Sequence, residues 1–313
     1  MATEAHTGCI ARGRAYDLLA TGLTDGLRPD RVAHFRAVPA LAPHIGTDPD
    51  PDGWASAHHT ALSLEVPPYE GAFLSETGQL DDGEGLRQAY ARGGLSGVPE
   101  DQPPDHVGVE LRFLAWLSGA EADAILDGQE DARAQVQDLA SSFIDAHLGR
   151  WLPALAVALQ TSPPTHPFFR ELALLAAELV SSHRAQLPGP VAAWSLPPVP
   201  DLLSDPDTRL ADLATTLTIP SLAGGMLSRA ALAGIGRSAE VPKGFGSRAL
   251  MLTNLMRSAA EYERLPEVLA GLGVVATGWS EAHAALGATV WADRAQDTVG
   301  LLNRMAEQAG LRE

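Results

Sequence analysis

Three of the four proline pairs in this chain, Pro67-Pro68, Pro103-Pro104 and Pro163-Pro164, divide its first part into helix-length pieces, and the fourth, Pro197-Pro198, lies in a Pro-rich stretch. The residue before a proline is pushed out of the α region, and proline itself has no amide hydrogen to donate. Neither a long helix nor a central strand can run through such a pair. Between the pairs, apolar residues recur three and four apart, and no sustained apolar/polar alternation of a half-buried strand appears. Aromatic residues make up only 5% of the chain although 45% is hydrophobic, so the core is built from Ala, Leu and Val. That composition suits close helix packing better than a β-sandwich. The expected fold is all-α, a compact helical bundle with an additional C-terminal helical module.

Periodicity predicts helices over 9–23, 31–38, 54–64, 85–92 and from Val107 onward, with 120–125 extending or restarting the last. The longest pattern, 131–159, contains Pro153, which is expected to bend or split it. A further Ala/Leu helix is predicted over 166–187. Residues 188–206 are rich in proline and lack periodicity, which reads as a linker. Beyond it the pattern gives helices at 208–216, 222–235, 248–263, 265–272 and 279–309. The expected organisation is therefore a core over 1–187, a Pro-rich linker over 188–206 and a helical extension over 207–313.

The stretch from Pro103 to Leu117 carries the most local information. Asp105 is placed to cap the following helix, accepting free amide hydrogens of its first turn. Val107, Leu111 and Leu114 recur at helical spacing, with Phe113 and Leu117 widening the apolar face.

The formal net charge is −17, and the basic residues are arginines apart from Lys243. Nucleic acid binding needs a basic patch, so that class is excluded as an expectation. A cationic partner such as an arginine-bearing peptide suits such a surface, which also favours solubility. The single cysteine, Cys9, permits neither an internal disulfide nor a thiolate cluster. No secretory signal is read at residues 1–10, and no apolar run is long enough to span a bilayer, so a cytoplasmic protein is expected.

Catalytic signatures are missing. Lys243 lies outside any phosphate-loop pattern, His58-His59 are too close in sequence to chelate together on a helix, and His147 and His166 have no further ligand at suitable spacing. The glycine pairs at 93–94 and 224–225 follow no strand. No catalytic residue, metal ligand or cofactor is assigned. What remains is a group of aromatic and acidic residues beside turns: Tyr69 and Phe73 after one proline pair, Asp105 and His106 after another, and Tyr90 before a glycine pair. If these turns meet, an apolar cleft rimmed by carboxylates results. Asp105 and Glu110 could take a guanidinium, and Tyr69 and Phe73 apolar side chains.

Several of these segments, in order, resemble one known family. They are Arg14-Ala15-Tyr16-Asp17-Leu18-Leu19, Pro68-Tyr69-Glu70-Gly71-Ala72-Phe73-Leu74, Ala89-Tyr90-Ala91-Arg92-Gly93-Gly94-Leu95, Pro103-Pro104-Asp105-His106-Val107 with Glu110, Leu111 and Phe113, and Phe143-x-x-x-His147-Leu148-x-x-Trp151-x-Pro153. Together they are similar to the TorD/DmsD/NarJ family of molybdoenzyme maturation chaperones, in particular the branch serving type II enzymes of the dimethyl sulfoxide reductase family. The resemblance runs from about Arg12 to about Arg184. Two positions depart from the family's pattern: Gln102 stands where an acidic residue precedes the proline, with Glu100 or Asp101 as stand-ins, and Ala72 replaces a leucine.

The resemblance implies a non-enzymatic, cytoplasmic chaperone. It would bind the catalytic subunit of a molybdenum oxidoreductase, or its twin-arginine signal peptide, and hold it for insertion of the molybdopterin cofactor. Tyr69, Glu70, Phe73, Tyr90, Asp105, His106 and Glu110 are the expected client-binding residues, on a monomer or homodimer. Two other readings stand beside it. One is a helical protein or enzyme that binds a nucleotide or small molecule through Asp105 and His106. The other is an adaptor acting through its C-terminal module.

Overall fold

A computed structural model describes residues 2–47, 50–77, 83–95, 102–242 and 244–310. Lys243, Glu100, Asp101 and most of the acidic turn at 78–85 lie outside the described residues. Regular structure among those described is helical, apart from one isolated antiparallel bridge between Tyr69 and His106. The all-α expectation is met. The chain separates into two compact units. The first comprises Met1–Gly71, Asp81–Ala156 and Thr165–Ala193, the second Ala72–Leu80, Val157–Pro164 and Trp194–Glu313.

The helices of the first stretch of chain are α1 (Ala2–Asp25), α2 (Val32–Arg36), α3 (Pro51–His59, prolonged by a π turn over Thr60–Glu65), α4 (Glu70–Leu74), α5 (Glu84–Arg92), α6 (Val107–Leu126), α7 (Glu130–Ala146), α8 (Leu148–Thr161) and α9 (Pro167–Gln186). α1 lies along α6, and both reach α7 or α9. Tyr16, Leu19, Ala20 and Leu23 of α1 are buried. So is the whole predicted face of α6, namely Val107, Leu111, Phe113, Leu114 and Leu117. Burying each such leucine stabilises the unit by about 1.5–3 kcal/mol. α1 ends where Gly26 adopts φ 73°, a conformation that glycine reaches without a Cβ penalty.

The long pattern over 131–159 does split, but at His147 (φ −126°, ψ −100°) rather than at Pro153, which lies inside α8. The proline ring crowds the carbonyl four residues back, at position 149, so its effect falls one turn upstream of the ring itself. At the far end of α9, Arg184 forms a two-pronged ion pair with Asp145 (2.6 and 2.9 Å). The same guanidinium donates to the carbonyls of Gly189 and Pro190, while Asp145 accepts from the amide of Ala192 at 3.0 Å.

The second unit holds α10 (Leu210–Thr218), α11 (Pro220–Ala223), α12 (Arg229–Ser238), α13 (Arg248–Glu261), α14 (Leu265–Ala285) and α15 (Thr289–Gly310). Its core joins Leu217, Leu232, Leu252, Leu255, Val268, Leu272, Trp279 and Leu302. Two sequence expectations are corrected here. The helix expected over 222–235 is two helices, because Gly224 (φ 78°) turns the chain after α11. The gap expected at 273–278 is helical, and the break comes at Gly287 (φ 70°). α11 has only one turn, so side chains satisfy its carbonyls. Arg294 donates to Ser221 O (2.8 Å), Thr298 to Ala223 O (2.8 Å) and His283 Nε2 to Gly224 O (3.1 Å). Ser221 in turn donates to Ser75 O at 2.8 Å.

Candidate functional site

Six of the seven residues singled out by sequence meet in the first unit, and the two proline pairs explain how. Neither proline pair can join a helix, and 103–106 close a turn through His106 N on Pro103 O (3.2 Å), which leaves the residues after each pair free to form a short ladder. Val107 N donates to Pro68 O and Glu70 N to Asp105 O, both at 2.9 Å, across the Tyr69–His106 bridge. The Tyr69 and His106 rings meet edge to face at 5.3 Å.

The cap of α6 is His106, not Asp105 as the sequence suggested. His106 is extended (φ −74°, ψ 132°), and its Nδ1 accepts from Gly108 N at 3.0 Å. Burial, with the charge of Arg112 second, lowers its pKa to about 4, so the ring is neutral and able to accept. Asp105 instead reaches across the bridge: its Oδ2 accepts from Gly71 N at 3.3 Å and caps α4. The local rule found a cap at the right helix but assigned it one residue early, because a partner on another segment claims the carboxylate.

Tyr90 from α5 donates its hydroxyl to Pro104 O at 2.6 Å, and its ring packs on Phe113 and Phe143. Burial, reinforced by the charges of Glu110, Glu70 and Asp105, pushes its hydroxyl pKa far up, so it stays protonated and keeps that donated bond. Glu110 is 0% exposed. Trp151 Nε1 donates to its Oε2 at 3.3 Å, while no donor from another residue reaches Oε1. Burial first, and the neighbouring Glu70 second, raise the Glu110 pKa well above the usual carboxyl value. Protonation supplies the missing hydrogen, and the Glu110 carboxyl then donates to Glu70. Glu70 also accepts from His147 Nδ1 (3.0 and 3.1 Å). The result is a polar chain, Trp151–Glu110–Glu70–His147, that runs from the sealed interior to side chains 16% and 19% exposed at Glu70 and His147.

The three turns thus converge as expected, but around a filled interior. Tyr90, Asp105, His106 and Glu110 are buried, and Tyr69 and Glu70 are half-buried at the edge. Phe73 is also buried, and its stretch of chain clusters with the second unit. Sequence reasoning left His147 and Trp151 out of the site. Both stood in the Phe-x-x-x-His-Leu-x-x-Trp-x-Pro segment, but Glu70, the partner of His147, is 77 residues away. Among the described residues no group of three or more His, Cys, Asp or Glu could hold a metal ion. No helix among them is long and apolar enough to cross a membrane.

Residues 39–157 match the family described as nitrate reductase delta subunit. The delta-subunit segment contains every one of the residues above, from Tyr69 to Trp151. The chain is 35% identical over 88 residues to the chlorate reductase assembly chaperone protein of Ideonella dechloratans, covering 28% of this chain and 43% of that relative. It is 36% identical over 84 residues to the selenate reductase assembly chaperone protein of Thauera selenatis, covering 27% and 41%. The chain thus spans less than half the length of the curated relatives it matches. No solved structure matches it significantly. The resemblance to the TorD/DmsD/NarJ chaperones and to their type II branch is borne out by these matches. The delta-subunit segment also carries most of the charge: twenty Asp and Glu stand against five Arg, so it holds −15 of the chain's −17.

Proposed function

We propose that this protein is a cytoplasmic assembly chaperone. It binds the catalytic subunit of a molybdenum oxidoreductase and holds it for cofactor insertion and assembly. The observation that carries this reading is the pair of matches, to the delta-subunit family over residues 39–157, where the turns meet, and to assembly chaperones of chlorate and selenate reductases. The concentration of negative charge in that segment supports a client region bearing arginines, such as a twin-arginine signal peptide, by electrostatic complementarity.

In this reading the roles divide by burial. Half-buried Tyr69 and Glu70 contact the client, while Tyr90, Asp105, His106 and Glu110 hold the shape behind them; Phe73, buried with the second unit, is left to that unit's core. His106 and Asp105 are already engaged in capping, which weighs against their use as an acid–base pair on a nucleotide or other small molecule.

Calorimetric titration of a twin-arginine signal peptide, and separately of the client's catalytic subunit, tests the proposal. Tyr69→Ala is expected to weaken client binding by about tenfold or more, as for an aromatic anchor, with the circular dichroism spectrum unchanged. Asp105→Asn keeps an acceptor for Gly71 N, so it separates charge from capping. Affinity unchanged in Asp105→Asn leaves that residue a cap alone. Failure of the wild-type chain to bind either form of client overturns the function.

A further inference from the structure

Independently of that function, the second unit presents a self-complementary face centred on α14. Two grooves flank this helix. One, of about 810 Å³, lies toward α12 and is lined by Ala231, Gly234, Arg237, Glu267, Gly271 and Val274 among others. The second, of about 580 Å³, lies toward α15 and is lined by Ala270, Gly273, Val274, Thr277, Gly278 and Glu281 among others. Val274 is common to both and stands on the crest between them, 74% exposed. Its flanks are low: a Cβ built at Gly273 or Gly278 would meet open space.

The charges on this face are arranged about Val274. Glu267 lies seven residues before it and Glu281 seven after, about 10 Å to either side at 1.5 Å per residue. Glu267 is paired with Arg264 at 3.0 Å. Arg237, exposed in the same groove as Glu267, and Glu281, exposed in the other, have no ion-pair partner among the described residues.

We propose that this face binds a second copy of the chain, with α14 packed antiparallel on its counterpart about a two-fold axis at Val274. The two Val274 side chains then meet at the axis, and the open space over Gly273 and Gly278 beside them lets the helices approach. The antiparallel register brings Glu281 of each copy to the level of the other's Glu267. There Arg237 supplies the unpaired cation, and Arg264 already neutralises Glu267. A two-fold axis makes every such contact twice, so both unmatched charges are satisfied by one arrangement. Close approach of helices over small residues, ridge into groove, gives the packing.

Analytical ultracentrifugation of the full chain over a concentration series tests this. The wild type is expected to sediment at twice its 32.9 kDa chain mass, and Val274→Glu, a change at an exposed crest, at the monomer mass with its circular dichroism spectrum unchanged. Arg237→Glu and Glu281→Arg should each weaken the dimer by about tenfold, because the change is repeated across the axis. The double reversal should restore it. A wild type that stays monomeric at about 100 μM, where a dimer with a micromolar Kd would be mostly formed, overturns the proposal. So does a dimer that survives Val274→Glu, or charge reversals that the double variant does not rescue.

Discussion

Glu110 is the residue whose environment is most unlike water. Its carboxyl is sealed, accepts from the Trp151 indole and leans on Glu70. Because its folded pKa is raised, the folded state keeps a proton that the unfolded chain releases above its ordinary carboxyl pKa. The stability this group contributes is therefore complete at low pH and is lost as pH rises toward the folded value. Glu110→Gln replaces a protonated acid with a neutral isostere that can still accept from Trp151 and donate to Glu70. Urea denaturation should show Glu110→Gln close to wild type at pH 5 and more stable than it at pH 8. Glu110→Ala leaves a cavity and an unpartnered indole N–H, and should cost about 2–4 kcal/mol. The sequence made Tyr69, Tyr90, Asp105 and Glu110 visible one by one, as polar or aromatic groups beside turns. It could not show their partners. A carboxylate that caps a helix on another segment, or a glutamate that meets a histidine 77 residues later, leaves no trace in local spacing.

Helices were legible wherever proline or glycine punctuated them. α5 ends at its glycine pair, α6 starts after Pro103-Pro104, and α9 starts at His166, each close to the predicted boundary. The misreadings have a common origin. Val274 is exposed on α14 while the small residues around it carry little periodicity, so a continuous helix read as two. Pro153 was visible, but the break it promotes lies upstream at His147. Glycines on α6 and after α11 carry a packing role that no spacing rule reveals. A Cβ on Gly108 would collide with Thr24 Oγ1, and one on Gly225 with the Trp279 ring. Gly108→Ala should push α1 off α6, and Gly225→Ala should displace Trp279 from its core. Each is expected to cost about 1–3 kcal/mol by overpacking, measurable as a lowered melting temperature.

At the scale of the whole molecule, three buried histidines set the response to acid. His106, His183 and His283 each have a pKa lowered to about 4, chiefly by burial. The unfolded chain takes up protons below about pH 6.5 while the folded state does not. The stability these histidines contribute is thus full above pH 6.5 and falls as pH drops from there toward 4. Each histidine should remove about 1–2 kcal/mol by pH 5. Urea denaturation at pH 7 and pH 5 checks this, and His283→Phe, whose ring cannot charge, should flatten part of the slope. The all-α class was readable from composition and punctuation. The grouping of 72–80 and 157–164 with the later chain was not, since it rests on contacts far apart in sequence. Truncation after Leu187 would remove Ser221, which donates to Ser75 O, along with the rest of that unit's helices.

The paired Arg184 and Asp145 grip the backbone at 189, 190 and 192. A protease must draw roughly ten residues of extended chain into its cleft, and here the first stretch of the Pro-rich segment is tied down although its side chains are exposed. Limited digestion should therefore nick the chain beyond Trp194, in the exposed run around Asp205-Pro206-Asp207, and leave a first fragment that still carries residues 189–193. Arg184→Gln should move the earliest cut back toward Gly189, which a time course read by mass spectrometry would resolve.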